Sequence, residues 1–166
     1  MRARAAISEE THERTSFDGP DREFVEGEVV QRDMGGERQS AAQTSFAIPL
    51  SSLQRIGATV RVELRIRLKA GAYRIPDVAV FGPDKPNGDV PSNPPYVAIE
   101  FLSPGDAHGN VMQKFEEYLA SGVRHIWLAD PQRNRLFVFD DTGLHGVPQF
   151  ELAEHALIIT PGQVFE

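Results

Sequence analysis

Two acidic side chains stand in apolar segments that have the composition of buried strands. Asp77 belongs to the run AYRIPDVAVF, and Glu100 belongs to the run YVAIEFLSP. Removing a carboxylate from water costs several kcal/mol, so acids are rarely buried without a partner or a metal ion. Lys114 follows Glu100 in a segment with a helical pattern. These two acids and this lysine are the candidate functional residues, and the rest of the fold has to position their side chains.

The oxygen atoms of Asp77 and Glu100 predict a site for a divalent cation. If the two segments form neighbouring strands, both carboxylates can project toward the same end of the sheet. Hard oxygen ligands suit Mg²⁺ or Mn²⁺, and Mg²⁺ keeps several waters when it binds to one or two carboxylates. Such a cation could polarise a phosphoryl oxygen and lower the pKa of a bound water. With Lys114 to stabilise charge on the phosphate, the set predicts phosphodiester hydrolysis.

The predicted helix around Lys114 brings further polar side chains toward the two acids. Asn110, Lys114 and Tyr118 recur every four residues and share one helix face, which Gln113 and Glu117 flank. Lys114 could orient the attacking water as well as stabilise charge. We treat Gln113, Tyr118 and Asn110 as accessory candidates, although Tyr118 is more typical of packing, and Asn110 of a polar surface or a cap.

Structural roles stay open for the same residues. Asp77 could accept backbone donors after the proline that precedes it, and Lys114 could pair with Glu117 or Tyr118 on an exposed helix face. Glu100 is harder to explain in this way because its whole segment is apolar. The five histidines have neither HxH nor HExxH spacing, so we expect no catalytic role for them.

The segments that carry Glu100 and Lys114 predict a strand–helix–strand unit. Residues 96–102 form an apolar run broken only by Glu100, as expected for a central strand covered on both faces. We expect a helix over residues 107–120 and a second strand over residues 123–129. A crossover of this kind should be right-handed.

The segments before this unit predict a helix and two paired strands. Apolar residues recur at helical spacing over residues 39–56, with a weak point at Pro49. Residues 58–68 alternate between apolar and mostly charged side chains, which predicts one strand with one buried face. Residues 73–81 should be its antiparallel partner. Shorter strands are expected later in the chain, at residues 135–139, 150–152 and 156–159.

The chain has 166 residues, a length that fits one domain with its own core. We expect residues 21–166 to form this single domain and residues 1–20 to form a loose N-terminal arm. The predicted fold class is α+β, with one mixed sheet, a long helix before it and a second helix between its central strands.

Composition narrows the classes of function. The formal net charge of −7 argues against a protein that coats nucleic acid, because neutralising phosphates is the main term in non-specific binding. It leaves a nuclease open, since metal-binding carboxylates contribute to the negative charge. The absence of cysteine excludes disulfides and thiolate metal sites and favours the cytoplasm. No apolar run reaches the length of a membrane span or of a secretory signal, so we expect no membrane association.

Four segments of the chain resemble a known protein family. RIPDVAVF, YVAIEFLSP, QKFEEYLASGVRHIWLADP and TPGQVF occur in this order and resemble a large bacterial family usually labelled as restriction endonucleases, within the PD-(D/E)XK nuclease superfamily. The resemblance covers residues 22–166 roughly, and the ordered set is specific although the PD dipeptide alone is not. It implies a restriction-endonuclease-like mixed β-sheet core flanked by two main helices, with magnesium-dependent cleavage of DNA.

Matched by position, Asp77 and Glu100 take the places of the two acids in the family pattern. Leu102 stands where the superfamily pattern has its lysine, and Lys114 matches the position to which the lysine is relocated in this family. Glu23 and Glu28, in REFVEGEVV, match a pair of early acids, and either could be an accessory ligand. We therefore place Glu28 with Asp77 and Glu100 in the predicted metal site and keep Glu23 as an alternative.

The chain departs from the family pattern at two positions. Asn110 stands where many members have an acid, and Gln39 or a neighbour stands where they often have a histidine. These departures, Leu102 and the acidic charge favour a second hypothesis, an inactive binding or scaffold module that keeps the nuclease-like fold. The first hypothesis, a metal-dependent DNA endonuclease, is consistent with a homodimer, because two active sites suit the cutting of two strands.

Overall fold

The structure, a computed structural model, describes residues 5–17, 21–32, 36–68, 71–106 and 108–165. Within these ranges the strands are β1 (Ala5–Ala6), β2 (Arg22–Val25), β3 (Glu28–Gln31), β4 (Thr59–Val62), β5 (Ile66–Arg67), β6 (Tyr73–Arg74), β7 (Val78–Phe81), β8 (Val97–Phe101), β9 (His125–Asp130), β10 (Arg135–Asp140), β11 (Gly143–Val147), β12 (Phe150–Leu152) and β13 (Leu157–Ile159). The helices are α1 (Glu9–Arg14), α2 (Glu37–Leu50), α3 (His108–Ala120) and α4 (Pro161–Val164), with 3₁₀ helices at Ser51–Ile56 and Ala153–His155. No helix in the described ranges is both long and apolar enough to cross a membrane.

A six-stranded mixed sheet forms the centre of the molecule, in the order β11-β10-β9-β8-β7-β4. Strands β8 and β9 run parallel, and the other neighbours are antiparallel. Helix α3 connects β8 to β9, which confirms the predicted strand–helix–strand unit. Every residue of β8 is buried, as its apolar sequence predicted for a central strand.

The two main helices cover opposite faces of this sheet. Alternate residues of a strand point to opposite faces, and on one face the apolar side chains pack with Phe46 and Leu50 of α2. On the other face they pack with Phe115 and Tyr118 of α3. Burying each such aromatic or leucine side chain contributes roughly 1.5–3 kcal/mol. The packing of α3 fixes which of its residues can reach the end of the sheet.

Helix α2 ends where the sequence predicted a weak point. Pro49 lies in its last turn, and the chain continues as a 3₁₀ helix before it turns at Gly57. Gly57 has a φ of 81°, a left-handed conformation that glycine adopts without a steric penalty.

The prediction of one strand over residues 58–68 is wrong. The alternating segment breaks at Glu63, whose φ of 52° is incompatible with an extended strand. Strand β4, before the break, pairs with β7 in the main sheet, and β5, after it, pairs with β6 in another sheet. The alternation of apolar and charged residues continues across the break, which is why the pattern did not reveal it.

The expected partner strand over residues 73–81 is divided in the same way. Strands β6 and β7 belong to different sheets, and residues 75–77 connect them. The second sheet has five strands in the order β1-β3-β2-β6-β5, so the prediction of one mixed sheet is corrected to a main sheet with a smaller neighbour. This division places Asp77 at the junction of the two sheets.

The predicted loose arm over residues 1–20 is also corrected where the structure describes it. Strand β1 pairs with β3, and α1 follows with Ser8 as its N-cap. His12 of α1 is buried against the rings of Phe24 and Tyr73. Residues 1–4 and 18–20 of the predicted arm lie outside the described residues.

The C-terminal strands form where they were expected but pair with each other. Strands β12 and β13 make a separate two-stranded sheet. Phe150 of β12 stacks on Trp127 of the main sheet, with ring centroids 4.4 Å apart. The contact is therefore through side chains rather than through a shared edge.

Candidate functional site

Asp77 and Glu100 lie near each other in the main sheet, Asp77 directly before β7 and Glu100 within the neighbouring strand β8. Val78 of β7 lies opposite Ile99 of β8, so the next antiparallel pair in this register is Asp77 and Glu100. Glu100 is on the face of the sheet that α3 covers, where Tyr118 and Lys114 contact it. Asp77 lies in the bend directly before β7 and accepts hydrogen bonds from Gln39 and Gln43 of α2. The backbone N–H of Phe101 donates a hydrogen bond of 2.7 Å to Oδ2 of Asp77, which fixes the carboxylate at the end of the sheet.

Lys114 of α3 reaches the same place from above the sheet. Its Nζ lies 2.8 Å from Oε1 of Glu100 and 2.7 Å from Oε1 of Glu23. Nζ also donates a hydrogen bond of 3.3 Å to the carbonyl oxygen of Ile75. The lysine is thus held by one strand of the main sheet, one strand of the second sheet, and the segment that connects β6 to β7. Only 12% of its side-chain surface is exposed.

Oδ1 of Asp77 accepts three hydrogen bonds from side chains. Nη2 of Arg32 lies at 2.8 Å, and the amide groups of Gln39 and Gln43 donate from α2 at 3.2 and 3.3 Å. With the Phe101 amide on Oδ2, the carboxylate has four donors, and its side chain is 3% exposed. Asp77 is therefore held firmly in one orientation.

A second set of ion pairs lies behind Lys114. Arg74 of β6 donates to Oε2 of Glu23 at 3.0 Å and makes a bidentate pair with Glu117 of α3, at 2.6 and 3.0 Å. The backbone N–H of Ile75 donates to Oε1 of Glu23. Gln113 also donates to Glu117, at 3.2 Å. These contacts tie the second sheet to α3 through charged groups that are largely buried.

Burial raises the pKa of Glu100 from its ordinary value of 4.5 to about 7, although the neighbouring Lys114 lowers it. The negative charges of Asp77 and Glu23 add to the rise. Tyr118 donates a hydrogen bond of 2.7 Å to the same Oε1 atom that Lys114 contacts. Burial and the neighbouring Glu100 also raise the pKa of the Tyr118 hydroxyl well above 10, so the tyrosine stays a neutral donor.

The pKa values of the other charged groups of the site are shifted by burial and by their charged neighbours. Burial raises the pKa of Glu23, but Lys114 and Arg74 more than offset this and lower it to about 2. Burial raises the pKa of Asp77 more than the nearby cations lower it. Burial lowers the pKa of Lys114, but Glu100 and Glu23 outweigh it, so the net shift is upward and the ammonium stays charged.

Several of these side chains line one cavity of about 160 Å³. Asp77, Glu100, Lys114, Glu23 and Arg32 are on its wall. The wall also carries further polar residues that do not contact Asp77 or Glu100 in the hydrogen bonds described above, namely Glu26, Glu28, Ser103, Asp106, Asn110 and Gln113. The site is therefore open to a small hydrated ion.

The residues proposed from the sequence fall into two groups. Lys114 contacts both Glu23 and Glu100, and Tyr118 contacts Glu100. Asp77 lines the same cavity as Glu100. The remaining candidates also line the cavity, namely Glu28, Asn110 and Gln113. Leu102, where the superfamily pattern has a lysine, is partly buried against the apolar cluster around α3 and contributes no charge.

Sequence reasoning missed the arginines of the site. Arg74 is almost fully buried and stands in the same apolar run as Asp77, so the reasoning applied to the acids would also have identified it. Arg32 follows the end of β3, and nothing in its sequence context distinguishes it from a surface residue. Gln43 is one turn along α2 from Gln39 and could have been found by helical spacing.

The donor set fits a cation that retains much of its water. Among the described residues, no group of three or more His, Cys, Asp or Glu side chains is arranged to hold a metal ion. Asp77 and Glu100 nonetheless offer two carboxylates on one cavity wall, which is the number that Mg²⁺ commonly takes from a protein. Lys114 and Tyr118 both contact Oε1 of Glu100, so Oε2 makes none of these bonds.

Comparison with known proteins gives a family and a fold. Residues 8–163 match the model of the Uma2 family, described as "Putative restriction endonuclease". A crystal structure described as a putative nuclease belonging to DUF820, from Anabaena variabilis ATCC 29413, superposes with a TM-score of 0.85. The two chains are 23% identical, and the match covers 96% of this chain and 97% of the other. No curated protein matches the chain.

The structural likeness confirms the predicted fold class, a mixed sheet with two main helices in a nuclease-like arrangement. At this identity the likeness extends to the fold alone. The family model spans nearly the whole sequence and includes the acids of β2 and β8, Asp77 and Lys114 of α3. The chain therefore belongs to the Uma2 family.

Proposed function

We propose that this protein is a metal-dependent endonuclease that hydrolyses phosphodiester bonds in DNA. The observation that carries the proposal is the meeting of Asp77, Glu100 and Lys114 on one cavity wall at the end of the main sheet. The Uma2 family description and the nuclease-like fold support the same class of reaction.

In this proposal, Asp77 and Glu100 hold Mg²⁺ or Mn²⁺. Glu28 lines the same cavity, but it does not complete a three-carboxylate set with them among the described residues, so its role as an accessory ligand stays a prediction. A cation held there would supply Lewis-acid activation of the phosphoryl group and of the attacking water. Glu23 is a weaker choice of ligand, because its oxygens already bind Lys114, Arg74 and a backbone N–H. Its role is to hold Lys114 in place.

In this proposal, Lys114 supplies a positive charge from the protein, in addition to that of the cation. Its ammonium is buried, charged and fixed by two carboxylates. A preorganised positive charge stabilises the extra negative charge that develops on a phosphate during hydrolysis. Tyr118 and Gln113 act one step further out, since they contact Glu100 and Glu117.

One observation favours a second function, an inactive binding or scaffold module. Asp77 already has four hydrogen-bond donors, one of them the Arg32 guanidinium, and is nearly buried. A carboxylate satisfied in this way needs no metal ion. The cavity beside it favours the enzyme, because a purely structural pair has no need of an opening.

Cleavage of supercoiled plasmid DNA tests the proposal. We expect nicked and linear products with Mg²⁺ or Mn²⁺, none with a chelator, and none from Asp77→Asn or Glu100→Gln at any metal concentration. Asp84→Asn, in an exposed loop, is the matched control and should cut as the parent does. Equal cutting by all variants would refute the assignment of the site, and no cutting by a folded parent would favour the scaffold. A homodimer and a cytoplasmic location stay predictions.

A further inference from the structure

The guanidinium group of Arg32 is paired with the Asp77 carboxylate, one of the two proposed ligands of the cation. Nη2 of Arg32 lies 2.8 Å from Oδ1 of Asp77, and the two side chains are 14% and 3% exposed. Arg32 also lines the cavity that Asp77 and Glu100 share. Asp77, Glu100, Glu23 and Glu63 all stabilise its positive charge, and although burial lowers its pKa, the net shift is upward.

The hydrogen bonds of Asp77 leave little room for another ligand. Oδ1 accepts from Arg32, Gln39 and Gln43, and Oδ2 accepts from the Phe101 backbone. Each carboxylate oxygen has about two lone-pair directions. Oδ1 already accepts from three donors, so a cation that binds to Asp77 through this oxygen must displace at least one of them.

Arg32 is the donor that a divalent cation would displace. The Phe101 amide belongs to β8 and cannot leave without breaking the sheet, and the two glutamine amides are neutral and more distant. Arg32 alone among these four donors carries a positive charge, so it would repel a second cation on the same oxygen. It lies beyond the last residue of β3, where its long side chain can turn away without disturbing a strand.

We infer that Arg32 is a built-in counter-ion that occupies the cation position at Asp77 until a divalent metal ion displaces it. The inference rests on the proposed function, because it concerns how that site is filled. Without metal, the guanidinium neutralises a buried carboxylate, which would otherwise be strongly destabilising. With metal, breaking this pair reduces the apparent affinity, so the site selects for a cation that binds more strongly than a guanidinium.

Calorimetric titration of Mn²⁺ into the full chain tests the inference. We expect Arg32→Gln, which keeps polar donors but removes the charge, to bind Mn²⁺ at least about tenfold more tightly than the parent. The same variant should melt at a lower temperature without metal and gain more from added Mn²⁺ than the parent does. Arg61→Gln, on the exposed side of β4, is the matched control and should behave as the parent in both measurements.

The outcomes separate this inference from the proposed function. Unchanged or weaker Mn²⁺ binding by folded Arg32→Gln, with binding lost in Asp77→Asn, would overturn the role of Arg32 and leave the metal site standing. No binding by the parent or by Arg32→Gln would overturn both. If Arg32→Gln is unfolded without metal, folding on addition of Mn²⁺ supports the inference. Arg32→Lys, which keeps the charge, should bind Mn²⁺ more weakly than Arg32→Gln, and equal affinity would count against displacement of a charge.

Discussion

The ammonium of Lys114 lies 2.8 Å from Oε1 of Glu100 in the buried interior beside the main sheet. The same nitrogen lies 2.7 Å from Glu23, which belongs to the second sheet. One lysine of α3 therefore neutralises two carboxylates that arrive from different sheets. The contact makes the candidate site and the junction of the sheets depend on the same side chain.

Replacing Lys114 with methionine should destabilise the protein strongly. The substitution leaves Glu100 without its cation and Glu23 with Arg74 alone, and breaking a buried ion pair typically costs about 3–5 kcal/mol. Urea unfolding at pH 8, followed by circular dichroism, measures the loss. Adding Glu100→Gln to Lys114→Met should restore part of it, because one unpaired charge is removed. A loss below about 1 kcal/mol would mean that the ion pairs contribute little, as at an exposed surface.

The stability of the protein should fall as the pH rises from about 4.5 to about 7. Glu100 has a pKa of about 7 in the folded chain against an ordinary value of 4.5, so the folded state keeps a proton that the unfolded state has lost. Stability falls with pH wherever the folded state binds more protons, and this interval corresponds to about 3 kcal/mol at most. Glu23 acts in the opposite sense below this window, because its folded pKa of about 2 stabilises the protein above pH 4.5 and the gain is lost as the pH falls toward 2.

Thermal unfolding from about pH 2 to about pH 8 covers the windows of both Glu23 and Glu100 and measures both effects. Glu100→Gln should flatten the decline between pH 5 and pH 7, and Glu151→Gln, an exposed acid of β12, should leave it unchanged. Identical profiles for the parent and Glu100→Gln would show that another group titrates in this window.

Replacing Tyr118 with phenylalanine isolates the hydrogen bond to Glu100. The ring stays packed against Phe115, while the 2.7 Å bond from the hydroxyl is lost. The acceptor, the Glu100 carboxyl group, is buried and would lose one of its donors. We therefore expect the free energy of unfolding to fall by about 1–3 kcal/mol. Leu119→Ala on the same helix removes a partly exposed apolar side chain and should have a smaller effect. An unchanged free energy for Tyr118→Phe would mean that the hydroxyl only fills space.

The elements around Glu100 were predictable because their signals are local. The apolar run of β8, the turn before α3 and the strand of β9 each follow from neighbouring residues. The sequence also predicted that Asp77 and Glu100 lie toward one end of the sheet if their strands are neighbours, and β7 and β8 are neighbours. By contrast, the division of the alternating segment depends on one backbone torsion at Glu63, and no pattern of apolar residues records it.

The hydrogen bonds and ion pairs of the site were not predictable for a related reason. Arg32 and Gln43 reach Asp77 from elements that are distant in sequence, and their contacts exist only after the second sheet has packed against the first. Arg74 was detectable as a charge in an apolar run, but its partners Glu23 and Glu117 come from β2 and α3. The local sequence pattern locates charged side chains that are costly to bury, and tertiary packing determines which opposite charges neutralise them.

The break at Glu63 gives a test of this fold correction. A non-glycine residue at a φ of 52° is strained, so Glu63→Gly should stabilise the protein by about 0.5–1 kcal/mol despite the greater freedom of glycine in the unfolded chain. Glu63→Val should destabilise it, because a β-branched residue fits this region poorly. Urea unfolding measures both variants. A valine variant as stable as the parent would indicate one continuous strand.

The central claim, that Asp77 and Glu100 together hold a divalent cation, is tested most directly by Mn²⁺ calorimetry of the parent, Asp77→Asn and Glu100→Gln. Asp141→Asn, in the exposed turn after β10, serves as the control, and circular dichroism checks that each variant is folded. We expect saturable Mn²⁺ binding to the parent and to the control, and no binding to either site variant. Binding that survives both site substitutions, or that is absent even from folded Arg32→Gln, would contradict this claim.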